Sequence, residues 1–133
     1  MDWQTFESEM QKLSEKVDFT PDFVVGIVRG GLVPARVLSN LLGVKSMFCL
    51  NVDNIEGQRV VNSNINYPLS GKKLLLVEDM LETGKSLIVA KEFLEEKGAE
   101  VKTACLYTMP ITECSPDAHI KVVDEVIDFP WES

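Results

Sequence analysis

The chain has little that would take it out of water or onto a polyanion. No apolar run approaches the roughly 20 residues of a membrane-spanning helix, so no membrane partner is expected. No basic stripe appears either. Lys and Arg number 13 against 21 Asp and Glu, a formal charge of −8. That balance argues against nucleic acid or an anionic membrane as a partner, and leaves room for a small phosphorylated ligand held locally. Cysteine is scarce: Cys49, Cys105 and Cys114 are odd in number and lack metal-ligand spacing. They suggest neither a disulfide framework nor a zinc site, and Cys49 and Cys105, in strand-like runs, are expected to be small buried hydrophobes. The single histidine, His119, lies in a polar loop and is expected at the surface. Met-Asp-Trp-Gln at the N-terminus lacks the pattern of a signal peptide, so a cytoplasmic location is expected.

What is present is an ordinary globular composition, 45% apolar and 26% charged over 133 residues. One domain, residues 1–133, can bury a core at this length without disulfide or metal support. Trp3, Phe6, Met10, Leu13 and Val17 recur at helical steps, which predicts an amphipathic helix over 2–17 with Asp2 as N-cap. Thr20-Pro21 breaks it, and Asp22 to Val28 reads as a buried strand. Arg29-Gly30-Gly31-Leu32-Val33-Pro34 then leads into a helix over 35–42, stopped by Gly43. Val44 to Leu50 is a further strand. Asn51 to Ser70 is long and polar, better read as a mobile flap or a hairpin than as a passive connection. After the central stretch come a strand over 99–107, a loop bracketed by Pro110 and Pro116, and a short edge strand within 120–126. Strand–helix alternation of this kind implies an α/β fold, a parallel sheet flanked by helices on both faces. Ligands of such sheets sit at the carboxyl ends of the strands, where the loops after Val28 and Val77 would meet.

The central stretch is Lys73 to Ala90. Leu74 to Val77 is a buried strand and Ser86 to Lys97 a helix. Between them lie Glu78, Asp79 and Glu82 and the small polar set Thr83, Gly84, Lys85, Ser86. Carboxylates at a strand end can accept hydrogen bonds from hydroxyls or hold a hydrated cation, while the free amides of a turn into a helix cradle an anion. A sugar phosphate has both halves. Thr83-Gly84-Lys85-Ser86 is not a nucleoside-triphosphate P-loop, because the glycine required five positions before Gly84 is Asp79. Gly26, Gly30 and Gly31 have the wrong spacing for a dinucleotide fingerprint.

Val77-Glu78-Asp79-Met80-Leu81-Glu82-Thr83-Gly84-Lys85-Ser86 instead resembles the phosphoribosyl pyrophosphate (PRPP) motif of type I phosphoribosyltransferases. Val28 to Pro34 resembles their pyrophosphate loop, nearest to bacterial xanthine-guanine (6-oxopurine) enzymes, and Phe129-Pro130-Trp131-Glu132 is similar to the base-binding end of those enzymes. The resemblance implies the type I phosphoribosyltransferase fold with a short flexible hood at about 51–70, and magnesium-dependent transfer of a phosphoribosyl group from PRPP to a purine in nucleotide salvage. It implies that Glu78 and Asp79 accept from the ribose hydroxyls, with Asp79 also near the magnesium ion (Mg2+). Thr83, Gly84, Lys85 and Ser86 would bind the 5′-phosphate, and Arg29 and Gly30 the pyrophosphate, in a loop that often carries a cis peptide. Glu82 would be the proton acceptor at the PRPP-bound base. Val126, where the family places a stacking aromatic, and Glu132, where an acid reads an exocyclic amino group, would meet the base. Met109 stands where oxopurine enzymes carry a lysine, so Lys102, Lys121 or a backbone amide would take over its role, or the base differs. Trp131 offers either a compensating ring or a packed one. A homodimer or homotetramer is implied. Two function classes follow, a purine-salvage transferase and a non-catalytic PRPP- or nucleotide-sensing module of the same fold. The Arg29-Gly30-Gly31 loop and Glu82 favour the enzyme.

Overall fold

The computed structural model describes residues 1–132. Its centre is a five-stranded sheet in the order β3-β2-β1-β4-β6. The strands are β1 (Phe23–Val28), β2 (Met47–Ile55), β3 (Gln58–Val61), β4 (Lys73–Val77) and β6 (Glu100–Ala104). All pairs are parallel except β2 with β3. Three two-residue strands, β5 (Met80–Leu81), β7 (Tyr107–Thr108) and β8 (Lys121–Val122), make a small parallel sheet beyond the carboxyl end of β4.

β4 explains why the core has two halves. Its Leu74 and Leu76 face one side, where α3 (Lys85–Glu96) covers them with Leu87, Ala90 and Leu94. Its Leu75 and Val77 face the other, under α1 (Trp3–Lys16) and α2 (Leu32–Leu41). A strand covered on both faces reads as a continuous apolar run, which is why this strand was legible. Helix α1 is capped as expected: the Asp2 carboxylate accepts from the Thr5 N–H at 2.8 Å.

Several boundaries differ from the sequence expectation. Helix α2 begins at Leu32 rather than at residue 35, so Pro34 falls in its first turn, where a missing N–H costs nothing. β2 starts at Met47 and runs on to Ile55, because its second half pairs with β3 as an antiparallel hairpin around Glu56 and Gly57. The stretch expected as a hood is thus a hairpin continuous with the sheet, followed by a coil whose Ile65 and Leu69 are buried in the α3-side core. The strand expected over 99–107 stops at Ala104 and resumes as β7, and the edge strand within 120–126 is only Lys121–Val122. Residues 117–118 lie along the outer side of β6, with Ala118 exchanging hydrogen bonds with Thr103 and Cys105 at 3.1 Å each. The three cysteines are free, and Cys49 is exposed rather than buried, since the face of β2 that it occupies is left open.

Candidate active site

The loops after β1 and β4 meet at one sheet edge. After β1 the chain turns sharply: the Val28–Arg29 peptide is cis, and the Gly31 N–H returns to the Ile27 carbonyl at 2.7 Å. Gly30 passes so close to the second loop that a Cβ there would lie 2.5 Å from an Asp79 carboxylate oxygen. Only glycine permits that approach.

The second loop is pinned before it turns. The Glu78 N–H bonds to the Ala104 carbonyl at 3.1 Å and the Leu106 N–H to the Asp79 carbonyl at 3.0 Å. The Asp79 side chain accepts from the Met80 N–H at 2.6 Å, and Glu78 Oε1 from the Asp79 N–H at 3.2 Å. Burial raises the Glu78 carboxyl well above the ordinary carboxylate range, and the Asp79 charge beside it adds to the shift. Burial also raises Asp79; the bond from Met80 opposes this, and the charge of Glu132 reinforces it. The pair is therefore short of positive charge and of hydroxyl donors, both of which would hold it ionised.

Glu78, Glu82 and the turn Thr83–Ser86 line one open cleft of about 220 Å³. Glycine is required here too. Gly84 has φ of +80°, and a Cβ on it would lie 2.7 Å from both Cys114 Sγ and Thr112 Oγ1. The loop over 110–116 braces the turn from behind. The Glu113 N–H bonds to the Thr83 carbonyl at 2.7 Å, and Glu113 Oε2 lies 4.0 Å from Lys85 Nζ. Helix α3 starts at Lys85, so its first amides have no carbonyl partner within the helix and face the cleft as donors.

The same cleft contains a residue that sequence reasoning passed over, Arg59 on β3. Its Nη1 donates to the Gly57 carbonyl at 3.2 Å, within the hairpin turn. The only signal was an arginine beside a Gly-containing turn in the hood stretch, and the hairpin register decides where it points.

The remaining expected residues are placed as follows. Arg29 is exposed on the first loop. Val126 is 60% exposed, next to Ile127, whose N–H meets Met80 Sδ at 3.5 Å. Glu132 Oε1 accepts from the Phe129 N–H at 3.3 Å, and its charge reaches Asp79. Trp131 is packed, 4.9 Å from Phe129 with the rings 5° from parallel, and 4.9 Å edge-on from Phe6. Met109 lines a separate cavity of about 230 Å³ with His119 and Cys114. Lys102 lines another with Lys16 and Asp117, away from the cleft, and Lys121 stands 5.5 Å over the Tyr107 ring.

The sequence matches the family described as phosphoribosyl transferase domain over residues 2–133. The chain belongs to that family. A xanthine-guanine phosphoribosyltransferase of Cereibacter sphaeroides is 32% identical over 82% of this chain and 68% of its own length. The purine phosphoribosyltransferase structure from Pyrococcus horikoshii superposes with a TM-score of 0.92 at 34% identity, over 100% of this chain and 92% of that one. The xanthine-guanine-hypoxanthine enzyme of Helicobacter pylori has the same fold, with a TM-score of 0.86 at 24% identity over 98% and 91% of the two chains. As a phosphoribosyl transferase, the chain has PRPP and a nucleobase as the substrates of its family. Among the described residues, no helix is long and apolar enough to cross a membrane.

Proposed function

We propose that the protein is a purine phosphoribosyltransferase of salvage, taking a 6-oxopurine such as xanthine, guanine or hypoxanthine to its nucleoside 5′-monophosphate. The observation that carries this is the meeting of two loops: Gly30 on the first lies against Asp79 on the second. One loop suits a departing pyrophosphate and the other the ribose 5-phosphate, so a single ligand spanning both has its scissile bond between them. The names of the relatives that match over most of the chain support a purine as acceptor.

The reaction breaks the bond from the anomeric carbon to the pyrophosphate oxygen and forms one to a ring nitrogen of the base. Glu78 and Asp79 accept from the ribose hydroxyls, and charge-assisted bonds of that kind are about twice as strong as neutral ones. The Thr83–Ser86 turn and the first amides of α3 hold the 5′-phosphate. Arg29 and Arg59 meet the pyrophosphate oxygens, where charge accumulates in the transition state. Glu82 takes the proton that the base loses. Asp79 and Glu132 offer hard carboxylate oxygens, and among the described residues no cluster of three or more His, Cys, Asp or Glu could cage a metal alone. That donor set fits an ion whose remaining ligands are water and phosphate, as magnesium prefers. Magnesium, when bound, supplies charge neutralisation for the leaving group.

The test is incubation with magnesium, PRPP and a panel of xanthine, guanine, hypoxanthine, adenine, uracil and orotate, with separation of products. Nucleotide from one or more 6-oxopurines is expected. PRPP binding with no nucleotide from any base would replace this reading with a sensing module.

A further inference from the structure

The C-terminal segment carrying Glu132 is not held by the sheet that carries the rest of the site. It is held by aromatic rings. Tyr107 and Phe129 stack with centroids 6.2 Å apart and planes 9° from parallel, and Phe129 stacks in turn on Trp131. Trp131 meets two rings of α1, Phe6 edge-on at 4.9 Å and Trp3 at 6.1 Å, and Trp3 and Phe6 are themselves 5.9 Å apart. The two ends of this ladder differ. Trp3 is 55% exposed, whereas Phe6 and Phe129 are each 2% exposed. Helix α1 also reaches the far end, where the Glu9 carboxylate and burial push the Tyr107 phenol up to about 12. The Met1 nitrogen donates to the Asp128 carbonyl at 3.0 Å, tying the start of the chain to the same segment.

Glu132 follows Trp131 directly and sits where its charge and that of Asp79 repel. A side chain with freedom would swing away from such a neighbour, because a surface carboxylate gains solvent and loses repulsion by doing so. Two contacts hold the segment in place, the ring stack on Trp131 and the Ile127 N–H on Met80 Sδ. We infer that Trp131, clamped by Trp3 and Phe6 of α1, is a positioning residue that holds Glu132 beside Asp79 for the magnesium-bound pyrophosphate half of the substrate. This deepens the transferase reading and rests on it. Helix α1 thereby acquires a role beyond covering the sheet.

A double-mutant cycle read by calorimetry of PRPP binding at fixed magnesium tests it. Glu132→Gln and Trp131→Ala should each weaken binding about tenfold, the lower end of the range for residues that orient a metal site. Trp131→Phe, which keeps a ring in the stack, should bind within about twofold of the parent. If Trp131 acts through Glu132, the double variant is no worse than Glu132→Gln alone, whereas independent effects multiply. Multiplied losses, or parent-like binding by Trp131→Ala, would overturn the inference while leaving the transferase reading intact. No PRPP binding by the unmodified protein would overturn both.

Fluorescence gives a second readout without any variant in the core. Trp3 and Trp131 are the chain's two tryptophans, so emission reports the ladder alone. Magnesium with PRPP should shift it, and Glu132→Gln should abolish the shift while circular dichroism stays unchanged. Saturating ligand with no change in emission would count against the coupling. Should Trp131→Ala fail to fold, Trp3→Ala removes only the exposed rung. It should weaken binding about two- to fourfold, with recovery in Trp3→Phe, and unchanged binding in Trp3→Ala would sink the proposal.

Discussion

Glu78 is held where its ionised form costs the fold most. Its carboxyl is raised by burial and by Asp79, so the folded chain keeps a proton that the unfolded chain releases near pH 4.3, the unperturbed value. Between that pH and the raised value the folded state binds more protons, and the free energy of unfolding falls as pH rises. Glu78→Gln cannot ionise and removes the decline. Above that window it should melt about 3–5 °C higher than the parent, the effect of roughly 1 kcal/mol in a domain of this size. Below pH 4 the two should melt together. The same variant should bind PRPP about tenfold more weakly, since a carboxylate acceptor is lost. Melting curves at several pH values and calorimetry check both halves. Stability and ligand binding thus make opposite demands on one residue. The acids Glu78 and Asp79 were legible in sequence because strand, acids and turn are contiguous there. Their raised carboxyls were not, because burial is set by Ala104, Leu106 and Gly30, all distant in sequence.

At the scale of elements, the phosphate turn depends on the 110–116 loop behind it. Gly84→Ala places a methyl against Cys114 and Thr112 and forces a left-handed backbone on a residue with a Cβ, which costs about 1–2 kcal/mol before any repacking. The expected outcome is a lower melting temperature and a PRPP KM raised at least about tenfold. Arg59 makes the opposite case. It sits on a short hairpin near the surface, so Arg59→Ala should leave stability within about 0.5 kcal/mol. A lost charge-assisted contact of about 1.5–3 kcal/mol should raise the PRPP KM about 10- to 100-fold. Parent-like kinetics would remove Arg59 from the site. Turn and hairpin also show where sequence reading stops. Thr83 to Ser86 declared an anion cradle through a local pattern, whereas Arg59 joins it only because β3 folds back on β2. Trp131 was equally open as a ring for the base or for the core, and the neighbours that decided it, Phe6 and Trp3, lie at the other end of the chain.

Over the whole molecule the two-sided core sorts the thiols. Cys49 is exposed, Cys114 half-buried behind the phosphate turn, and Cys105 buried beneath it. Burial, with Glu78 and Asp79 nearby, also drives the Cys105 thiol far above its ordinary pKa, so it forms little of the reactive thiolate. A thiol reagent should therefore label Cys49 first and Cys114 slowly, and Cys105 only in denaturant. PRPP should slow Cys114 further, because the turn it braces is then occupied. Mass spectrometry of tryptic peptides along a labelling time course reads all three, and early modification of Cys105 would contradict the packing described.

The chain segment lying along the outer side of β6 has a consequence for colloidal behaviour. An outer strand with free amides and carbonyls recruits strands from other molecules, the first step toward aggregation. Here Ala118 occupies those groups on Thr103 and Cys105, and the Asp117 carboxylate takes the Thr103 N–H at 2.8 Å. At the opposite border β3 spans only Gln58–Val61, too short to template a long pairing. Loss of the Asp117 anchor, as in Asp117→Ala, should show less in turnover than in turbidity, with precipitation on heating at concentrations where the parent stays clear.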